Sequence, residues 1–152
     1  MISWEEFRSK ESELAKAGEG LIFQFGVGLA FLATIRKDGA PRLHPVCPVL
    51  WNGHLYVFIA PQSPKKNDLL RDGRYAMQSF PPPREESEEF YLSGRAERIE
   101  DRQLFKQVMA SAKSRVHEDE ILFELKLDRA MHTTWANWGK PDLHPVYQKW
   151  HL

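Results

Sequence analysis

LAFLATIRKDGAPRLHPVCPVLWNGHLYVFI, residues Leu29–Ile59, decides the fold. Leu29 to Arg36 is a short apolar run of strand length. Lys37-Asp38-Gly39 follows it, and the Asp-Gly pair supplies the positive φ that a tight hairpin demands. Arg42 to Trp51 forms a second extended run. Its Pro41, Pro45 and Pro48 predict an edge, a bulge or an irregular strand, because proline cannot donate to a ladder. Asn52-Gly53 is the strongest two-residue hairpin signal in the chain, and His54 to Ile59 returns from it. Two consecutive hairpins predict an antiparallel meander.

On the N-terminal side, Ser3 with Glu6 three residues on makes a capping box, and Ile2 with Phe7 stands at the positions of a hydrophobic staple. Trp4, Phe7 and Leu14 give one apolar stripe. The expected helix covers residues 3–18, with Gly18 and Gly20 ending it. Its opposite face mixes Glu with Lys and Arg, so the stripe reads as a packing face and not a membrane anchor.

On the C-terminal side, Ser63-Pro64 is a cap followed by proline at the first helical position, predicting a short helix that Gly73 closes. Tyr75 to Phe80 reads as a strand. Pro81-Pro82-Pro83 and the acidic run Glu85 to Glu89 form a polar excursion. Phe90 to Ile99 is another strand, and a helix from about Asp101 to Lys113 carries Leu104, Phe105, Val108 and Met109 on one face. Ile121 to Leu127 alternates, and Ala130 to Trp135 extends the sheet. Residues 137–152 show little periodicity. Six strands joined mostly by hairpins, with a few short flanking helices, predict a mainly β (α+β) fold, a six-stranded antiparallel barrel.

The 152 residues, 42% hydrophobic and 28% charged, fit one soluble domain, 1–152, with a core that needs no metal or disulfide staple. Lys plus Arg number 21, as do Asp plus Glu, so no basic excess supports nucleic-acid binding. Near-neutral charge suits a chain that buries surface in an oligomer. The one cysteine, Cys47, excludes an intramolecular disulfide and reads as a buried, inert thiol. No apolar stretch is long enough to span a bilayer, and Met1-Ile2-Ser3-Trp4-Glu5-Glu6 is acidic where a secretory leader would be basic. The expected address is cytoplasmic, away from membranes.

Several chemistries fail on pattern. Gly26-Val27-Gly28 lacks the third glycine of a dinucleotide fingerprint, and neither a phosphate loop nor a nucleophile elbow is present. The six histidines form no metal-binding i, i+4 pair on a predicted helix. The segment Ser63-Pro64-Lys65-Lys66-Asn67 is different. A helix N-terminus offers free N–H groups and the positive end of a dipole, and here a hydroxyl and two ammonium groups join it. An ordinary solvated basic helix start would look the same. Antiparallel pairing of the flanking strands favours the anion site, since it brings Arg42 to the edge where Ile59 ends.

With these pieces in order, the chain resembles the pyridoxamine 5′-phosphate oxidase-like flavin-binding split barrels over roughly residues 27 to 100. The resemblance rests on Leu32-Ala33-Thr34-Ile35 with Asp38-Gly39-Ala40-Pro41-Arg42-Leu43-His44-Pro45-Val46. It continues through Leu55-Tyr56-Val57-Phe58-Ile59, Ser63-Pro64-Lys65-Lys66-Asn67-Asp68-Leu69, Asp72-Gly73-Arg74 and Phe90-Tyr91-Leu92-Ser93-Gly94-Arg95-Ala96-Glu97.

The resemblance implies FMN at a homodimer interface, in sites built from both chains. It implies Arg42 at the phosphate, Leu43, His44, Pro45 and Val46 beside the ring, Ile59 and Ala60 at the strand end, and Ser63, Lys65 and Lys66 at the phosphate turn. It implies an oxidoreductase acting on a small molecule, with a deazaflavin, or a non-catalytic flavin- or haem-holding role, as alternatives. The Arg-x-His-x-Arg cluster with which the oxidase proper grips its substrate is missing. Leu143-His144-Pro145 keeps only a histidine, so a different substrate is implied. No nucleophile or acid–base pair stands out, though His44 and His132 are candidate proton donors near the ring. Trp135, Trp138 and Trp150 would wall a substrate cleft or, preferably, fill the dimer interface.

Overall fold

The computed structural model describes residues 1–152. The N-terminal box forms as read: the Ser3 hydroxyl accepts the Glu6 N–H at 3.3 Å while the Ser3 N–H donates to Glu6 Oε2 at 2.7 Å. One helix becomes two, α1 (Trp4–Lys10) and α2 (Ser12–Ile22), broken at Glu11, whose φ of −135° and ψ of 62° leave the helical region. Gly18 and Gly20 do not stop α2. A Cβ on Gly18 would stand 2.5 Å from the Phe90 ring, so this glycine lets the helix settle onto the sheet.

Eight strands form instead of six: β1 (Ala30–Ile35), β2 (Pro41–Val46), β3 (Val49–Trp51), β4 (His54–Ile59), β5 (Arg74–Ser79), β6 (Glu89–Ile99), β7 (Ile121–Ala136) and β8 (His144–His151). Helices α3 (Pro64–Arg71) and α4 (Arg102–Ser111) complete the chain. Both hairpins are present, β1 with β2 and β3 with β4. Asn52 (φ 48°) and Gly53 (φ 77°) are both left-handed, which matches the twist of the flanking strands.

The meander does not form. The run Arg42 to Trp51 breaks at Cys47-Pro48, and the sheet order is β2-β1-β5-β6-β7-β4-β3, which puts β2 and β3 on opposite edges. The segments Ile121–Leu127 and Ala130–Trp135 are one strand of 16 residues, continuous through a bulge opposite Ser93/Gly94. One edge of β7 is covered in turn by β4, by Ile2 bridged to Leu127, and by β8. The C-terminal segment is therefore an edge strand. It carried little strand signal because its own outer edge faces solvent and its alternation is blurred. The result is an antiparallel split barrel with short helices.

The main core joins Trp4, Phe7, Leu14 and Ile22 of the helices to Leu32, Met77, Phe90 and Leu92 of the sheet. Each such side chain stabilises the fold by about 1.5–3 kcal/mol through burial. Trp150 lies 5.0 Å from the Phe7 ring and packs, partly buried, against this core. Val49, Tyr56, Phe105, Val108 and Leu122 form a smaller cluster under α4. No helix is long and apolar enough to cross a membrane.

Candidate functional site

The strand β4 ends at Ile59, and Ala60-Pro61-Gln62 turns the chain into α3. Ser63 is its N-cap with Pro64 at the first position, yet the Ser63 hydroxyl makes no capping bond. That hydroxyl and the Lys65 N–H stay available to a ligand, whereas Pro64 has no N–H and the Lys66 N–H donates to the Ser63 carbonyl at 3.1 Å. Lys65 is partly buried in the first turn. Its Nζ lies 3.4 Å from His44 Nδ1, and no carboxylate pairs with it. Burial first, and then the charge of Arg42, hold its ammonium below the usual lysine range.

Six of the residues singled out in the sequence line one groove of about 260 Å³: Pro45, Val46, Ile59, Ala60, Ser63 and Lys65. The groove has an apolar floor and a cationic, hydroxyl-bearing end. Cys47 and Phe58 also line it, so Cys47 is partly exposed in the groove and not a buried thiol. The break between β2 and β3 leaves it uncovered. The far wall is the segment after α4, through Ser114, Arg115, Val116 and Glu120. Nothing in the sequence pointed to these four, which lie in an irregular stretch with no periodicity and reach the site only through tertiary folding.

The other expected residues stand around the groove. Leu43 is 63% exposed on the outer face of β2, because alternation turns it away from Arg42 and His44. His44 meets the site only through Lys65. Lys66 is partly buried in the same helical turn. Arg42 borders a separate open cleft of about 660 Å³ on the other side of the α3 start, with Arg36, Lys37, Asn67 and Arg71.

That cleft has a buried carboxylate at its base. Asp68 is 3% exposed; its Oδ2 accepts from Arg42 Nε at 2.7 Å and from the Thr34 hydroxyl at 2.9 Å. Arg71 reaches its Oδ1 at 3.4 Å and also donates to the Ile35 carbonyl. Burial alone would raise the Asp68 pKa. The hydrogen bonds from Arg42 and Thr34, with the Arg42 charge, outweigh it and hold the carboxyl below its ordinary value. Asp68 was read only as part of a motif, since its partners are 26 and 34 residues away.

His132 lies elsewhere. It sits opposite Phe90 on β7, with Nε2 at 2.7 Å from Glu88 Oε1, and burial lowers its pKa. It lines neither cavity beside α3. A further apolar cavity of about 310 Å³ lies beyond the Cys47-Pro48 break, walled by Phe23, Val27 and Leu50, and Ser114 borders both it and the groove.

The family model for pyridoxamine 5′-phosphate oxidase matches residues 25–136, which include every residue of the groove. No curated protein matches the chain in sequence. Among solved structures, a heme binding protein from Mycobacterium smegmatis superposes with a TM-score of 0.63 at 20% identity over 86% of this chain, which spans 57% of that protein. A NimC/NimA family protein from Clostridium acetobutylicum gives 0.59 at 16% identity, with 95% of each chain covered. An F420 reductase gives 0.57 at 15% identity over 74% of this chain and 94% of its own. At these identities the three share the fold. With that fold, and with a family match over most of its length, the chain belongs to the pyridoxamine 5′-phosphate oxidase family.

Proposed function

We propose that the chain is an FMN-binding flavoprotein of the split-barrel family, with oxidoreductase chemistry on a small molecule other than pyridoxamine phosphate. The observation that carries this reading is Lys65: a partly buried ammonium with no carboxylate partner, beside the uncapped Ser63 hydroxyl, at one end of an apolar groove. A phosphate monoester supplies the missing negative charge, and a flat heterocycle suits the floor of Pro45, Val46, Ile59 and Ala60. Ser63, Lys65 and Lys66 hold the phosphate with Arg42 beside them, and each charge-assisted bond contributes about 1.5–3 kcal/mol. Bound flavin supplies the hydride and electron chemistry, while the protein's groups bind and orient it. His44, with Nδ1 3.4 Å from Lys65 Nζ, stands beside the groove's cationic end.

The groove's 260 Å³ is small beside the roughly 300 Å³ or more of typical ligand sites. A second copy of the chain completing it, in a homodimer, resolves the shortfall. Tyr147, across from Thr133 on the edge strand β8, is 52% exposed. That face is where the partner would dock, with Trp138 at its rim.

The visible spectrum of the purified protein after addition of FMN tests the reading. Flavin absorbance that stays with the protein on gel filtration, and is lost when Ser63 and Lys65 become alanine, is expected. Absence of bound flavin, or retention unaffected by both substitutions, overturns it. The structural kinship with a heme binding protein favours one second reading, non-catalytic heme holding, which predicts a Soret band in place of the flavin bands.

A further inference from the structure

Asp68 is a buried carboxylate in the positive corner of the molecule, and flavin binding as described makes no use of it. Its two oxygens gather Thr34 and Arg71 as well as Arg42, and Arg71 also holds the Ile35 carbonyl. One side chain of α3 therefore ties down β1 and β2 together. The consequence for Arg42 is orientation. Its Nε is committed to Asp68, and its two terminal nitrogens make no hydrogen bond within the chain. A guanidinium on a flexible stem loses rotamer freedom when it captures an anion. One already fixed through Nε presents its terminal pair with that loss largely met in advance. Arg42 stands two residues before His44 on the same face of β2, and His44 Nδ1 is 3.4 Å from Lys65 Nζ, so the two cations lie beside each other at the start of α3.

We propose that Asp68 is a positioning residue for phosphate recognition: it fixes Arg42 through Nε so that the terminal nitrogens, together with Ser63 and Lys65, receive a phosphate monoester at the head of α3. The inference rests on the FMN reading above and extends it to a residue that does not touch the ligand. A purely structural Asp68 would pin α3 to the hairpin and leave ligand choice unaffected.

FMN and riboflavin differ only in the phosphate, so the ratio of their dissociation constants isolates its recognition. The ratio is measured for the wild type, Asp68→Ala, Arg42→Gln, the double variant and Thr34→Val, with thermal unfolding of each. The wild type is expected to prefer FMN. Asp68→Ala is expected to cut that preference about tenfold or more while riboflavin affinity holds. The double variant is expected to lose no more than Arg42→Gln alone, because Asp68 acts through Arg42. Thr34→Val, which removes a different bond to the same oxygen, is expected to lower Tm without moving the ratio. Should Asp68→Ala fail to fold, Asp68→Asn keeps an acceptor for Nε, and an intermediate ratio is expected. An unchanged ratio in the Asp68 variants, alongside a fall in Arg42→Gln, overturns the inference and leaves the FMN reading standing. A wild type that binds neither compound overturns both.

Discussion

Two clusters of charge sit at different corners of the barrel, and they are built on opposite terms. Around Glu124 the accounts close: the buried carboxylate has His54 Nδ1 at 2.6 Å and Lys126 Nζ at 3.6 Å. Around Lys65 they do not, for the ammonium is partly buried, feels Arg42, and has only a histidine nitrogen within reach. A cluster that neutralises itself is part of the scaffold. One that leaves a cation desolvated and unpaired is held there by the rest of the fold, which is the usual condition of a binding site.

The largest effect belongs to the open cluster. Replacing Ser63 by alanine and Lys65 by methionine together is expected to weaken FMN binding by about a hundredfold, as two charge-assisted contacts are lost. Stability without ligand is expected to hold or rise. The folded-state pKa of Lys65 is lowered, so its charged form is less favoured in the fold than in the unfolded chain. A double variant that unfolds more easily while binding FMN normally would erase the distinction between the two corners.

Glu124 should behave the other way. Glu124→Gln is expected to lower unfolding free energy by about 1–3 kcal/mol, because His54 and Lys126 lose their shared partner, while FMN affinity stays the same. Denaturant titration with and without FMN checks both halves.

Asp68 lies between the two, matched in charge but placed beside the open site. Its folded pKa is depressed below the unfolded carboxylate value of about 3.9. Its contribution is therefore fully present above that value and is lost as pH falls through the lower, folded one. Unfolding free energy measured from about pH 5 downward should drop more steeply in the wild type than in Asp68→Asn.

The smallest effect tests how tightly the closed cluster is built. The Tyr56 phenol is pushed up to about 12, by burial first and the Glu124 charge second. Ultraviolet titration of the phenolates should place Tyr56 among the last to ionise. Glu124→Gln should lower its pKa slightly, since burial, the larger cause, remains.

Much of this architecture was legible because its signals are local. Asn52-Gly53, Lys37-Asp38-Gly39, the Ser3–Glu6 box and Ser63-Pro64 each act within a few residues, and each forms where it was read. What escaped is non-local. Gly18 looked like a helix stop, but it answers to Phe90, 72 positions away in the chain by the numbering. The continuity of β7 depends on a bulge against β6, and β8 is a strand only because β7 offers it an edge.

The site divides the same way. Pro45 and Val46 of β2 and Ile59, Ala60, Ser63 and Lys65 at and after the end of β4 were placed together by family likeness, whereas the antiparallel pairing read between those two strands does not form: β2 pairs with β1, and β4 with β3 and β7. Asp68 took its meaning from Thr34 and Arg42, and Arg115 from a segment that reaches the groove only once α4 has packed under β3. Long-range partners of this kind leave no period or spacing to read.

The most direct test of the central claim is isothermal titration of the purified chain with FMN, repeated after Lys65→Ala. Saturable binding at one flavin per chain is expected, with affinity falling about tenfold or more in the variant. Equal affinity in both proteins, or no heat of binding in either, would contradict it.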